Sequence, residues 1–449
     1  MDHIRFSTPK EQAKIDSLAA DILRNVRLNR GFILWMGFLT VALVLCLYAY
    51  TIQLRHGLGV TGLRDYTSWG VYIANFVFFV ATSLIGMLIS SVLGLIGYQW
   101  VKPIARIAEI IAIAFAAIAG LVIISDMGRP DRLPYLFRYG RIQSPILWDV
   151  TVVTTYFVLS LLLWFFPMIP DLAISKTRLN GRPQFLIKAY ELLSFRWEHH
   201  EAQYRLLKQA LRILLILIIP TAFAIHTVTS WLFAVTPRTG WDSTIFGPYF
   251  ISGAFVSGTA AVIIAMYFFR VSYKLEKYLT DDHFEKIGRV LVLVSIVYFY
   301  FNLNEFLVPG YKLKTGDAIH LRELFTGDFA MLFWGIQLLG LIIPSILLLF
   351  KQIRRPLPMM IISVFVLAGA WLKRYIIVVP SQGHPNLPIQ NVPPEWVFYK
   401  PTLIEASVTL ASILLVLIII TLLSKLFPVI PIWELAEDED KKKGDTVNE

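Results

Sequence analysis

A chain of 449 residues that is 56% hydrophobic, 14% aromatic and only 16% charged, with a mean hydropathy of +0.63, does not have the composition of a water-soluble domain. It describes a polytopic membrane protein. The formal charge of +10 reflects basic loops, and no nucleic-acid motif accompanies it.

In chain order, residues 1–30 are polar and amphipathic and read as a cytoplasmic segment. The first apolar run starts too late and is too long for a cleavable signal peptide. Runs able to cross ~30 Å of hydrocarbon fall near 31–54, 69–97, 104–124, 146–168, 209–235, 247–270, 290–308, 328–350, 357–379 and 402–427. Lipid offers open backbone no hydrogen-bond partner and the alternation of a barrel is missing, so all ten are expected to be helices. The fold class is all-α. Residues 434–449, ending in AEDEDKKKGDTVNE, are charged, lack apolar periodicity and read as a disordered, solvated tail.

With the N-terminus in the cytoplasm, about 28 of the 41 Lys and Arg residues fall in cytoplasmic segments, as the positive-inside rule requires. Both termini are then cytoplasmic. The outer segment GRPDRLPYLFRYGR breaks the pattern with Arg129, Arg132, Arg138 and Arg141. These arginines either snorkel at a helix end or form a partner-docking surface.

The single cysteine, Cys46, lies inside the first run. This chain alone can therefore build neither a disulfide framework, nor a thiolate metal site, nor an iron-sulfur cluster. Of eight histidines only His226 lies within a predicted span, too few for a bis-histidine haem. If the chain handles electrons, the carrier is a diffusible organic molecule, which in a bilayer means a quinone.

An offset of 177 residues superimposes DYTSWGVYIANF on DSTIFGPYFISG. Asp65 meets Asp242, Trp69 meets Phe246, Gly70 meets Gly247 and Tyr72 meets Tyr249. The pattern D-x-x-x-[WF]-G-x-Y thus opens the second and sixth helices. Two tandem four-helix bundles follow, over 65–235 (helices 2–5) and 242–379 (helices 6–9), with helices 1 (31–54) and 10 (401–427) outside them. An even number of spans per unit makes the repeat parallel. The architectural reading of the motif is an Asp N-cap, an interfacial aromatic and a glycine for close packing. The first copy is more polar, because Asn75 follows Tyr72 and Ser83 lies deeper.

On these boundaries the outer half gathers Asp65, Tyr72, Asn75, Asp126, Arg129, Asp149, His226, Glu305 and Arg374, while the cytoplasmic half is nearly bare of ionisable groups. Intramembrane charge is costly and marks a site or a proton path. Quinol oxidation needs a flat apolar slot, a base for the hydroxyls and a nearby electron acceptor, and a carboxylate and a histidine can supply the base. Asp126 beside Arg129 also reads as a structural ion pair, and His226 as a packing histidine.

SWGVYIANFVFFV, SDMGRP, HTVTSWLFAVTPRTGWDSTIFGPYF and RYIIVVPSQGHP resemble the NrfD/PsrC family of quinone-interacting membrane subunits, in its long ten-helix branch. The similarity runs from about residue 30 to residue 433, and the ending FPVIPIWE points to members linked to sulfur and sulfite metabolism. The resemblance implies no metal, haem or cluster in this chain, menaquinone as the bound substrate and no activity by the chain alone. It also implies an outer-face iron-sulfur subunit, a multihaem cytochrome c and further membrane or cytoplasmic subunits as partners. Trp69, Tyr72 and Asn75 match the helix-two motif, Asp126 and Arg129 the helix-three end, His226 and Asp242 the second-bundle motif, and Arg374 the helix-nine arginine. Some relatives carry a helix-two histidine where this chain has Leu84, which shifts the proton-acceptor role to Asp126 or another outer carboxylate.

The expected roles are Asp126 as proton acceptor, Arg129 tuning it, Tyr72 and Asn75 orienting the ring, and His226 with Glu305 lining a second-bundle polar path. Asp149, Asp242 and Arg374 complete the candidate set. A secondary transporter with a polar outer cavity and a structural anchor with a degenerate quinone site are the rival readings.

Overall fold

The computed structural model describes residues 8–26, 29–179, 182–384, 391, 393 and 396–437. The last twelve residues of the expected tail, 438–449, lie outside them. The chain is all-α, with no strand among the described residues. Among the described residues ten helices are long and apolar enough to cross a membrane: Arg30–His56, Val71–Leu93, Gln99–Asp126, Pro145–Lys176, Glu201–Ala234, Phe246–Tyr273, Asp281–Lys312, Ala330–Leu347, Pro356–Gly383 and Leu403–Leu426. They are called the first to tenth spans below. The side holding the N-terminus is the near side and the opposite one the far side.

Local chemistry sets where the spans begin and end. Asn29 caps the first span by accepting the Phe32 N–H at 3.0 Å, and Gly57 ends it at φ +74°, a conformation that glycine adopts without penalty. The seventh span starts at Asp281, well before its apolar run, because Thr280 and His283 form a capping box. The fourth span breaks after Phe165 and resumes at Met168, since Pro167 has no N–H to donate. Two spans carry π-helical turns, Ile89–Leu93 in the second and Ile336–Ile342 in the eighth.

The second and sixth spans are the most deeply enclosed, so the two copies of the repeated motif open the two inner helices. The second packs on the third, sixth and ninth, and the sixth packs on the fifth, seventh and ninth. The first span faces outward, packs mainly on the tenth and leaves residues such as Leu34 and Leu45 exposed, as lipid contact requires. The inner pair meets closely at Gly258, where a Cβ would stand 1.9 Å from the Ile85 side chain. Absence of a side chain is what lets these backbones approach.

The near side corrects the expectation of a bare cytoplasmic half. Arg106, Glu109 and Asp171 are all buried there. Arg106 and Asp171 form an ion pair, and Asp171 Oδ1 also accepts the N–H groups of Ile432 and Trp433 at 3.1 and 2.9 Å. Ser90, in the π-helical turn, donates to Glu109 Oε1 at 2.7 Å. Isolated charges inside long apolar runs barely move an average hydropathy, so composition and periodicity do not reveal them. The segment after the tenth span folds back onto this ion pair, burying Val429, Ile430, Ile432, Trp433 and Ala436, and residues 432–437 are helical. The N-terminal helix Pro9–Ile22 covers the same end with Ile15, Leu18, Ala19 and Ile22.

Candidate functional site

Two buried polar sets lie toward the far side, one around the start of the second span and one around the start of the sixth. The first is built around the start of the second span. The approach to this helix is clamped at both edges: the Trp69 N–H donates to Gln382 Oε1 at 2.9 Å and Gln382 Nε2 donates back to the Trp69 carbonyl. The Val71 N–H donates to the Tyr399 hydroxyl at 2.9 Å, which donates to Glu405 Oε1 at 2.6 Å. Burial and the Glu405 carboxylate hold the Tyr399 phenol well above its usual range. The other Glu405 oxygen accepts the N–H groups of Gly62 and Thr402 at 2.8 and 2.9 Å and the Thr402 hydroxyl at 3.1 Å. Gly70 fits this clamp because a Cβ there would lie 2.3 Å from the Tyr399 ring.

Inside the clamp, Tyr72 is buried and its hydroxyl donates to Gln53 Oε1 at 2.6 Å, while Gln53 Nε2 donates to the Ser125 carbonyl at 2.7 Å. Asp126 follows as the last residue of the third span. Its Oδ1 is buried and has no hydrogen-bond partner among the described residues. Glu405 and Tyr72 lie within electrostatic reach of it. A phenol, an amide and an unused carboxylate oxygen thus converge from the first three spans.

Other candidates are placed differently. Asn75 is buried with both ends of its amide engaged, Nδ2 donating to Thr409 Oγ1 at 2.8 Å and Oδ1 accepting the Trp371 indole N–H at 2.7 Å. It ties the second span to the ninth and tenth. Arg129 does not meet Asp126. It is exposed and pairs with Asp131 at 2.9 Å, because the helix ends at Asp126 and the extended Met127 carries the chain away from it. Asp149 is buried and accepts the Thr229 hydroxyl at 2.5 Å, linking the fourth and fifth spans. Asp65 and Asp242 are exposed and are not N-caps: the helices open at Val71 and Phe246 behind Gly70 and Ile245, neither with a side-chain cap. Several residues separate each Asp from its helix, too many for a carboxylate to reach the N2 or N3 amide.

The second set lies around the start of the sixth span. Tyr249, the repeat counterpart of Tyr72, stacks on Tyr298 at 5.2 Å and donates to Asn302 Oδ1 at 3.0 Å, whose Nδ2 donates to Gln337 Oε1 at 2.7 Å. Glu305 pairs with Lys373 at 2.8 Å. Tyr298, Asn302, Gln337 and Lys373 line a cavity of about 10 Å³, room for one water molecule. His226 and Arg374 are both buried and lie within electrostatic reach of each other. Between the two sets, Trp69 stacks on Trp241 at 5.3 Å and Phe233 closes on both rings.

Sequence reasoning misses Gln53, Glu405 and Lys373. Glu405 carries a legible signal, the T-x-x-E capping box at Thr402. Gln53 and Lys373 are single polar residues near the far ends of apolar runs, where such residues usually meet solvent. Among the described residues no group of His, Cys, Asp and Glu is arranged to hold a metal ion.

Comparison with known proteins places the chain in a family. A family model described as "Polysulphide reductase, NrfD" matches residues 59–386. The membrane subunit of a putative dimethyl sulfoxide reductase from Halobacterium salinarum is 30% identical over 337 residues, covering 73% of this chain and 71% of its own. A selenate reductase subunit from Mesobacillus selenatarsenatis is 26% identical, covering 88% of this chain and 93% of its own. An Hdr-like menaquinol oxidoreductase integral membrane subunit from Archaeoglobus fulgidus is 24% identical, with coverages of 87% and 92%.

Proposed function

The chain belongs to the NrfD family of integral membrane proteins, and from that premise we propose that it exchanges electrons between menaquinol and a neighbouring iron-sulfur subunit, at the far end of the first bundle. The relatives are named for dimethyl sulfoxide, selenate and menaquinol chemistry, so the membrane subunit is what they share. The sulfur link suggested by FPVIPIWE is part of this proposal, as are the cytoplasmic placement of both termini and the outer position of the iron-sulfur partner.

The observation that carries the reading is the unpartnered, buried Oδ1 of Asp126 beside the Tyr72–Gln53–Ser125 chain. A buried carboxylate oxygen without a donor is costly unless a ligand or water supplies one. A quinol hydroxyl is such a donor, and oxidation of the quinol to the quinone releases two electrons and two protons. Asp126 takes one proton at Oδ1, the second leaves to far-side water and the two electrons pass to the iron-sulfur partner, while Tyr72, its hydroxyl fixed by Gln53, sets the rim against which the ring lies. Glu405 is not the base, because its two oxygens already serve four donors. Asn75, held by Thr409 and Trp371, fixes the second span and shapes the slot from behind. Asp126→Asn keeps the shape and removes the base. Menaquinol oxidation by the purified complex should then fall by about 10²-fold or more, the usual worth of a positioned general base. An unchanged rate would sink the assignment.

A further inference from the structure

We propose that Arg374 and His226 form a buried site for one anionic acceptor atom, at the seam between the two bundles and separate from the Asp126 site. Arg374 in the ninth span is 2% exposed, and its Nε and Nη1 have no hydrogen-bond partner among the described residues. His226 in the fifth span is 1% exposed, and its Nε2 is equally without a partner there. These are three unused nitrogen positions on two buried side chains of different helices that lie within electrostatic reach of each other. His226 lies eight residues from the far end of its span, about 12 Å at helical rise, a depth at which bulk water does not satisfy such groups.

Local charge points to the sign of the ligand. Lys373 and Arg374 are adjacent cations, and the carboxylate that answers them, Glu305, is bound to Lys373 at 2.8 Å. Among the described residues no carboxylate lies within ion-pair distance of Arg374, which leaves one buried positive charge in excess. A buried unpaired charge is among the most costly features a folded protein can carry, and in a membrane segment it marks a ligand or transport role. The sixth span is shaped to receive the guanidinium. The Phe250 ring lies 5.1 Å below it, and Gly253 leaves open the position where a Cβ would stand 2.6 Å from Nη2.

The acceptor has two sources with the same chemistry, a free monovalent anion of halide size or the oxygen of an ionised quinol headgroup. Anomalous diffraction from crystals of the purified complex separates them. In one arm bromide replaces chloride. In the other, the anion is gluconate and a brominated naphthoquinol is supplied. The expected result is an anomalous peak beside Arg374 Nε and Nη1 in the bromide arm, or one from the ring bromine with the headgroup oxygen on those nitrogens in the quinol arm, lost in Arg374→Gln. Absence of a peak in both arms with the unsubstituted protein, leaving only water density, overturns the site. That outcome does not depend on the folding of a variant, and it leaves the Asp126 assignment to be decided by the rate of Asp126→Asn.

Discussion

Glu405→Gln is the substitution whose cost follows most directly from the geometry. The carboxylate is fully buried and accepts four hydrogen bonds, from Tyr399, Gly62 and twice from Thr402, at 2.6–3.1 Å. Glutamine preserves the volume but offers one carbonyl oxygen and an NH2. Whichever way the amide turns, a donor faces a donor on one side. If the NH2 faces Tyr399, the phenol must accept it and gives up its own acceptor. The other bonds lose charge assistance, worth about 1 kcal/mol each, and one buried donor is stranded at about 1–3 kcal/mol. Together this is about 4–6 kcal/mol, a large fraction of ordinary domain stability. The assay is thermal unfolding of the purified complex combined with hydrogen exchange at the Gly62 and Val71 amides, which should lose protection selectively. A variant that melts within a degree of the parent, with both amides still protected, would refute the view that Glu405 holds the clamp around Tyr72.

Arg129→Ala should leave both the rate of menaquinol oxidation and the melting temperature unchanged, because a solvent-exposed ion pair contributes little. Arg106→Met leaves Asp171 charged and buried, which should cost about 3–5 kcal/mol and expose the segment 428–437 to limited proteolysis. His320, on the far-side helix Thr315–Phe325, is held down to about 3 by burial and then by its neighbours His384 and Lys373. Its folded value is depressed below the unfolded one. Its contribution is therefore complete above the ordinary histidine range and is lost progressively as pH falls from about 6.5 toward 3. At pH 5 the loss is about 2 kcal/mol. His320→Asn should flatten the fall in melting temperature between pH 7 and pH 5, and an identical slope in both proteins would contradict the burial argument.

Much of the fold is legible in the sequence because lipid removes ambiguity. A run such as 402–427, with Thr402 and Glu405 ahead of it, specifies both a span and its cap. The starts of the second and sixth spans are legible for the same reason, and the helices that Tyr72 and Tyr249 open are the two most deeply enclosed. What is not legible depends on partners distant in sequence. Asn75 reads as a free amide until the ninth and tenth spans bring Trp371 and Thr409 to its two ends. Arg129 reads as a partner of Asp126 until the extended Met127 carries the chain away from it. The buried ion pair of Arg106 and Asp171 joins residues 65 apart, and no local pattern couples them. Asp126 emerges from sequence because a carboxylate at the end of an apolar run is unusual wherever it then points.

The most direct test of the account is the position of the substrate headgroup in the intact complex. A density map with a tight-binding menaquinol analogue should show the ring at the far end of the first bundle, with an oxygen within hydrogen-bond distance of Asp126 Oδ1 and an edge against Tyr72. A headgroup resolved elsewhere, with Asp126 Oδ1 contacting only water, would contradict it.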